Sequence, residues 1–118
     1  MSILDQFFAA SVLIQIVHTV EELATGFHKK WYLLKMPFWV FLIFEIFFEG
    51  FWIGILVLPG FPNRNLLQVF FLVLMLANGI QHIAWAGMIK RYVPGLITAP
   101  FHIVIFLFLI YRLSLLGL

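Results

Sequence analysis

The stretch Ile16–Leu23, "IVHTVEEL", places His18, Glu21 and Glu22 near the end of an otherwise apolar segment. No Lys or Arg stands beside them, and the surrounding composition sharpens the anomaly. Of 118 residues, 64% are hydrophobic and 10% are charged. A soluble domain is nearer about half apolar and about a quarter charged. A helix that crosses a bilayer needs about 20 apolar residues. Four runs of that kind can be read, at about 3–23, 36–58, 66–88 and 96–116. Together they consume almost the whole chain, so we expect one transmembrane domain over residues 1–118. The expected fold is all-α, an integral membrane four-helix bundle.

No basic residue precedes the first run and no small-residue cleavage pattern precedes the polar trio, so a signal peptide is not expected. The chain has no cysteine, which excludes disulfides, thiolate metal sites and Fe–S clusters. The formal net charge is only +2, and the basic residues flank the apolar runs. That pattern sets topology and gives no reason to expect nucleic acid as a partner. Lys29, Lys30, Lys35, Lys90 and Arg91 fall in the first and third connectors, whereas Asp5, Arg64 and Arg112 lie at the opposite side. The positive-inside rule then puts connectors one and three in the cytoplasm and both termini outside, as in a multi-pass protein of the plasma (inner) membrane. Trp31, Tyr32, Trp39, Trp85 and Tyr92 would form the cytoplasmic aromatic belt.

At a rise of about 1.5 Å per residue, His18, Glu45, His82 and His102 all lie roughly 10 Å in from the cytoplasmic ends of their helices. Glu49 and Asn78 lie about one turn deeper, and Glu21, Glu22 and Thr98 about one turn shallower. Residues three and four apart share a helix face. His18 with Glu21 and Glu22, Glu45 with Glu49, Asn78 with His82, and Thr98 with His102 all obey that spacing. Gln15 and Gln81 fall on the same faces. Each run therefore carries one polar stripe, and in lipid such stripes turn inward.

Four glutamates enter this zone with no cation at their depth. Left ionised and unpaired, each would cost several kcal/mol. Protons, arginines from a partner chain or bound cations could neutralise them. Two divalent ions would balance four carboxylates, and di-metal bundles do hold ions on inward Glu and His pairs. The candidate metal ligands are His18, Glu21, Glu22, Glu45, Glu49, His82 and His102. Glu21 and Asn78 are also candidates to act on substrate. Mixed carboxylate and imidazole ligands suit one or two ions of zinc, iron or manganese.

Plainer readings compete. His102 alone reads equally as a packing histidine, and Thr98 as a bond to its own helix backbone. Glu45 and Glu49 read also as protonated glue between helices. His28 reads as a solvated loop residue, and the 15 phenylalanines and four methionines as lipid-facing or packing groups. One polar layer across four helices is harder to explain by packing alone.

"HTVEE" (18–22) fits a His-x-x-Glu-Glu signature, and "NGIQH" (78–82) and "YVPGLITA" (92–99) follow in order. In these blocks the chain resembles the HXXEE-domain family of small multi-pass membrane proteins, over nearly its whole length. The resemblance implies a site that includes His18, Glu21, Glu22, Asn78 and His82, metal-binding or enzymatic in character, and no known reaction. Glu45, Glu49 and His102 rest on depth and face alone.

The expected function is a membrane-embedded, metal-dependent enzyme, a hydrolase or a di-metal oxidoreductase, that acts on a lipid or other hydrophobic molecule from the cytoplasmic side. The alternatives are a metal-free Glu/His intramembrane hydrolase, a haem- or pigment-binding subunit, and a proton or metal-ion conduit. The outer halves, such as "FFAASVL", are nearly bare of polar groups, which weighs against the conduit. Gly50 and Gly54 form a small-x3-small pair directed away from Glu45, a candidate contact for a homodimer.

Overall fold

A computed structural model describes residues 1–117 as an all-helical chain: α1 (Ile3–Thr25), α2 (Phe27–Lys30), α3 (Phe38–Val57), α4 (Arg64–Ile89) and α5 (Ala99–Leu115). No strand occurs among the described residues. Three helices, α1, α3 and α4, are long and apolar enough to cross a membrane, whereas α5 has 17 residues.

Local chemistry sets the ends. Ser2 and Asp5 form a capping box at the start of α1, with each backbone N–H bonded to the other's side chain at 3.2 and 3.0 Å. Gly26, at φ 81°, stops that helix in the left-handed region that glycine enters without strain. One turn of helix follows, and Met36 N–H closes the connector on the His28 carbonyl at 2.8 Å. His28 is half-buried with its ring against Phe38, not freely solvated as the sequence suggests. The fourth apolar run, expected to be helical from about residue 96, becomes helix only at Ala99, as α5. The backbone N–H groups of Gly95, Ile97 and Thr98 are bonded to the Glu21 side chain, so this stretch is a tied turn.

Helix α1 is the hub, packed against α3, α4 and α5, and α4 and α5 make the closest pair. Gly79 permits that approach, since a Cβ there would come within 2.6 Å of the Ala99 carbonyl oxygen. Near the termini, Phe8, Val12, Trp52, Ile55, Phe71 and Met75 pack as one apolar cluster. At the other end Phe27, Phe41, Trp85 and Val93 form another. Between them lies a buried polar layer that includes Gln15, His18, Thr19, Glu22, Glu45, His82, Thr98 and His102. Meanwhile the exposed faces are apolar, with Leu13, Phe47, Leu66 and Val104 each more than half uncovered. Around Gly50 and Gly54 a Cβ would meet nothing within 4 Å, so the chain itself leaves that face uncovered.

Arg64 ties three elements together. Its guanidinium donates to the Ile55 and Leu56 carbonyls at the end of α3, at 2.8 and 3.0 Å, and to Asp5 Oδ1 on α1 at 2.6 Å. Gln68 Nε2 adds a bond to the same Asp5 oxygen at 2.8 Å. Arg64→Ala removes all three bonds, and a bond to a charged group contributes roughly 1.5–3 kcal/mol net. Thermal unfolding should show a loss of at least about 2 kcal/mol, since three such bonds go at once. Arg64→Lys should recover only part, because an ammonium cannot reproduce the planar fork.

Candidate functional site

His18 and Glu22 stand one helical turn apart on α1 and face His82 on α4. His18 Nε2 lies 3.1 Å from His82 Nε2 and 3.5 Å from Glu22 Oε1. His82 Nε2 lies 3.4 Å from Glu22 Oε2. Both histidines are fully buried and Glu22 is 4% exposed. These three could hold a metal ion, and they are the group of that kind found among the described residues. Donor atoms around a tetrahedral ion with bonds of roughly 2.0–2.1 Å lie about 3.3–3.4 Å apart. The two imidazole nitrogens, at 3.1 Å, stand near that spacing, while each faces a different Glu22 oxygen; one donor atom from each residue lies within 4.8 Å of the others.

The hydrogen-bond network assigns the His18 tautomer. Thr98 Oγ1 donates its single proton to Glu21 Oε1 at 2.7 Å, a stronger acceptor than the Gly95 carbonyl at 3.3 Å. The Thr98 oxygen must then accept from His18 Nδ1–H, at 2.6 Å. That leaves the His18 Nε2 lone pair aimed at the triangle. His82 Nδ1 is buried beside the Pro94 carbonyl without a well-formed hydrogen bond. Two Nε2 atoms at 3.1 Å require either a proton or a cation between them, since two lone pairs repel.

Glu21 is not in this group. As adjacent helix residues, Glu21 and Glu22 point about 100° apart. Glu21 accepts from Gly95 N–H and Ile97 N–H at 3.1 Å each, from Thr98 N–H at 2.9 Å, from the Thr98 hydroxyl, and from Tyr92 O–H. The expected metal ligand and reacting carboxylate thus has its oxygens occupied. It sits at the N-terminus of α5, where the helix dipole favours an anion. Burial first, then the Glu21 carboxylate it donates to, raises the Tyr92 phenol above its ordinary value. Tyr92 therefore remains a donor at neutral pH.

The other expected residues are spread around the triangle. Thr19 Oγ1 lies 3.0 Å from Glu45 Oε2 and 2.6 Å from Glu49 Oε1, and Gln15 Nε2 approaches it at 3.4 Å. One hydroxyl proton serves one carboxylate at a time, so the second carboxylate must hold a proton of its own or find another partner. His102 Nε2 lies 3.1 Å from Gln15 Oε1, and its ring centroid 5.3 Å from that of His18. Asn78 Oδ1 accepts from Gln81 Nε2 at 3.3 Å. None of Glu45, Glu49, His102 or Asn78 belongs to the three-residue group.

A cleft of about 710 Å³ reaches this layer, lined by residues of α1, α3, α4 and the first connector. Glu22, Glu45, Gln15 and Asn78 supply polar groups, while Phe41, Phe44, Phe48, Leu74 and Met75 supply apolar walls. Trp31 Nε1 and Tyr32 O–H both donate to Gln81 Oε1 beside it, at 3.2 and 3.0 Å.

Sequence reasoning passed over Thr19 and Gly95. Thr19 lies inside the "HTVEE" stretch, but nothing in its spacing marks it. Gly95 has φ +93°, and a Cβ there would lie 2.5 Å from His82 Cε1 and 2.7 Å from His18 Cε1. The backbone at Gly95 thus packs directly on both imidazoles, a contact that its place in the "YVPGLITA" block does not reveal. Gly95→Ala should separate the histidines, on top of a left-handed strain of roughly 1–2 kcal/mol. Histidine ¹⁵N shifts and thermal unfolding should both move. Gly87→Ala, with nothing within 4 Å, should leave them unchanged, and equal behaviour of the two variants would disprove the contact.

Against known proteins, a family described as "Protein of unknown function with HXXEE motif" matches residues 9–111. No curated protein and no solved structure matches the chain. The match takes in the His18–Glu22 stretch, the Asn78–His82 stretch and the turn that Glu21 holds, and the chain belongs to the HXXEE family.

Proposed function

We propose that the chain is an integral membrane four-helix bundle whose core holds a divalent transition metal on His18, Glu22 and His82. On this reading it acts on a lipid or other hydrophobic molecule from the cytoplasmic side. The carrying observation is that Glu22 belongs both to the His18–Glu22–His82 group and to the lining of the apolar cleft. A metal held there would open to whatever enters the cleft.

Several features support the membrane part. The exposed faces are apolar and the polar side chains turn inward, as lipid demands. The longest extent of the molecule is 42 Å, close to a bilayer of about 40–45 Å with its headgroups. Helix α5, though short, is backed by the tied turn 95–98, which carries the chain to the level of the polar layer.

Three protein ligands leave one position for water or substrate, the pattern of catalytic rather than structural zinc sites. Such an ion would supply Lewis acidity and activate water, and hydrolysis is the reaction class this favours. Around it, His18 is held in register by Thr98 and Glu21, as outer carboxylates orient ligating histidines. Glu45, buried and lining the cleft, is a candidate to exchange a proton with a bound molecule. Asn78 is placed to hold that molecule's polar end. Zinc, iron and manganese all fit this ligand set.

Elemental analysis of the purified protein should find about one transition-metal ion per chain, given one three-residue group of ligand spacing. Glu22→Gln should lower occupancy and keep the side-chain volume, and His82→Gln should do the same from α4. Lys30→Ala should not, since Lys30 is exposed. Chelation should lower the unfolding temperature, because Glu22 would lose its counter-charge. A metal-free preparation indifferent to chelators would overturn the metal reading. A proton would then join the two Nε2 atoms, and the Glu21–Thr98–His18 chain would favour a metal-free Glu/His hydrolase.

Orientation is tested separately. The chain has no cysteine, so single cysteines at Asn63 and Lys30 report without background. They should label from opposite sides of the membrane, with Lys30 inside. Labelling of both from one side would exclude the four-span arrangement.

A further inference from the structure

We infer that Asn78 offers its amide N–H groups to the cleft, and that the bound molecule meets them with an acceptor oxygen, a carbonyl or a phosphoryl group. Trp31, Tyr32 and Gln81 are the positioning residues that fix this polarity. The inference deepens the reading above by naming the group recognised, and it rests on that reading for an occupant of the cleft, not for the metal.

The two ends of a side-chain amide have nearly the same shape, so its neighbours decide which end is oxygen. An indole N–H can only donate. Trp31 Nε1 meets the Gln81 amide at 3.2 Å, so the Gln81 atom there is Oε1. The Tyr32 hydroxyl donates to the same oxygen at 3.0 Å. The other end of Gln81 is then Nε2, a donor, and it stands 3.3 Å from the Asn78 amide. Two donor ends cannot satisfy each other, so Asn78 turns Oδ1 toward Gln81 and keeps the N–H groups of Nδ2 for another partner. The bond with Gln81 is the only side-chain hydrogen bond of Asn78 among the described residues.

Both connector donors are held from behind. The Trp31 ring lies 5.1 Å from that of Phe27, and the Tyr32 ring 5.6 Å from that of Trp85, centroid to centroid. Phe27 and Trp85 are themselves buried. The first connector therefore sets the orientation of an amide on α4.

Asn78 lines the cleft beside Phe44, Phe48, Leu74 and Met75. Against such walls an unpaired N–H group is costly, and an acceptor on the ligand removes that cost. A site that hydrogen-bonds its ligand rejects the analogue that lacks the partner atom. Asn78 and His82 stand one turn apart on the same face of α4, and His82 belongs to the candidate metal group. An oxygen held by Asn78 is thereby kept about one turn from that group. Carbonyl and phosphoryl oxygens are the acceptors that a Lewis acid polarises in hydrolysis.

The test uses the full chain in alkyl maltoside micelles, whose molecules carry no carbonyl or phosphoryl oxygen. Three probes of equal length are titrated: a long-chain methyl ketone, a long-chain dimethylphosphine oxide and an alkane. Neither polar probe is cleaved by water. The methyl signal of Met75, in the cleft lining, reports occupancy, and the side-chain ¹⁵N–¹H signals of Asn78 report the hydrogen bond. At least one polar probe should move the Asn78 signals downfield, while those of Asn63 and Asn65, at the start of α4, stay in place. The polar probe that binds more tightly names the group.

Asn78→Leu keeps the volume and removes the donor. It should weaken that probe about tenfold, a difference of about 1.4 kcal/mol, and leave the alkane unchanged. Trp31→Phe and Gln81→Met leave Asn78 in place and release its amide. Both should weaken the polar probe and move the Asn78 signals before any probe is added, which loss of packing alone would not do. Occupancy at Met75 with unmoved Asn78 signals would overturn the inference, as would an alkane that binds as tightly as both polar probes, or no occupancy by any probe. Repeating the titration with chelator separates the two readings. A retained Asn78 shift sustains the inference even if elemental analysis finds no ion, and metal in a protein whose Asn78 signals never move sinks the inference alone.

Discussion

One carboxylate organises the polar centre of this protein. Glu21 accepts three backbone N–H groups and two hydroxyls from the single stretch 92–98. Those N–H groups precede α5 and have no carbonyl of their own to bind. In an apolar setting each would be costly if left unpaired. Satisfying them with one side chain of α1 clamps the start of α5 to the hub helix. The same clamp brings Thr98 against His18 and the Gly95 backbone against both imidazoles. Remove the carboxylate, and the turn, the tautomer of His18 and the spacing of the two histidines all lose their support.

The adjacency of the two glutamates in the His-x-x-Glu-Glu stretch then has a physical reading. Residues 18 and 22 lie on one face and supply two corners of the triangle, while residue 21, about 100° away, reaches the neighbouring loop. Loop anchoring and ligand spacing thus come from a single turn of α1. A His-x-x-x-Glu pair alone would supply the corners and leave the Thr98 hydroxyl without the acceptor that directs its proton away from His18. The extra glutamate, through Thr98, fixes which nitrogen carries the proton.

A second acidic group, Glu45 and Glu49, meets α1 through Thr19 on the side away from α5. The polar layer is therefore two-sided. Toward α5 it is closed and densely hydrogen-bonded, and toward α3 it borders the cleft. That asymmetry follows from packing: Gly79 lets α4 and α5 approach closely, whereas the rings of Trp52, Phe48 and Phe71 hold α3 and α4 apart.

Much of the architecture was legible in the order of residues. Long apolar runs dictate helices, because their backbone groups must be satisfied within each segment wherever water is scarce. The three- and four-residue spacing of His18 with Glu22, Glu45 with Glu49, Asn78 with His82 and Thr98 with His102 marks one polar stripe per run, since that periodicity is a property of the helix itself. The assignment within the stripe was not legible. Glu21 and Glu22 are chemically identical and both near the inner face, so only the positions of α4 and the 92–98 turn decide which one enters the triangle. The later start of α5 has the same origin, because Leu96–Thr98 is apolar enough for helix but its N–H groups found a better acceptor in Glu21. Gly95 and Thr19 carry no ionisable group, and their roles exist only where two distant segments touch. Composition and period determined which elements form and which faces turn inward; the contacts between those faces, which no single segment specifies, decided what each polar side chain does.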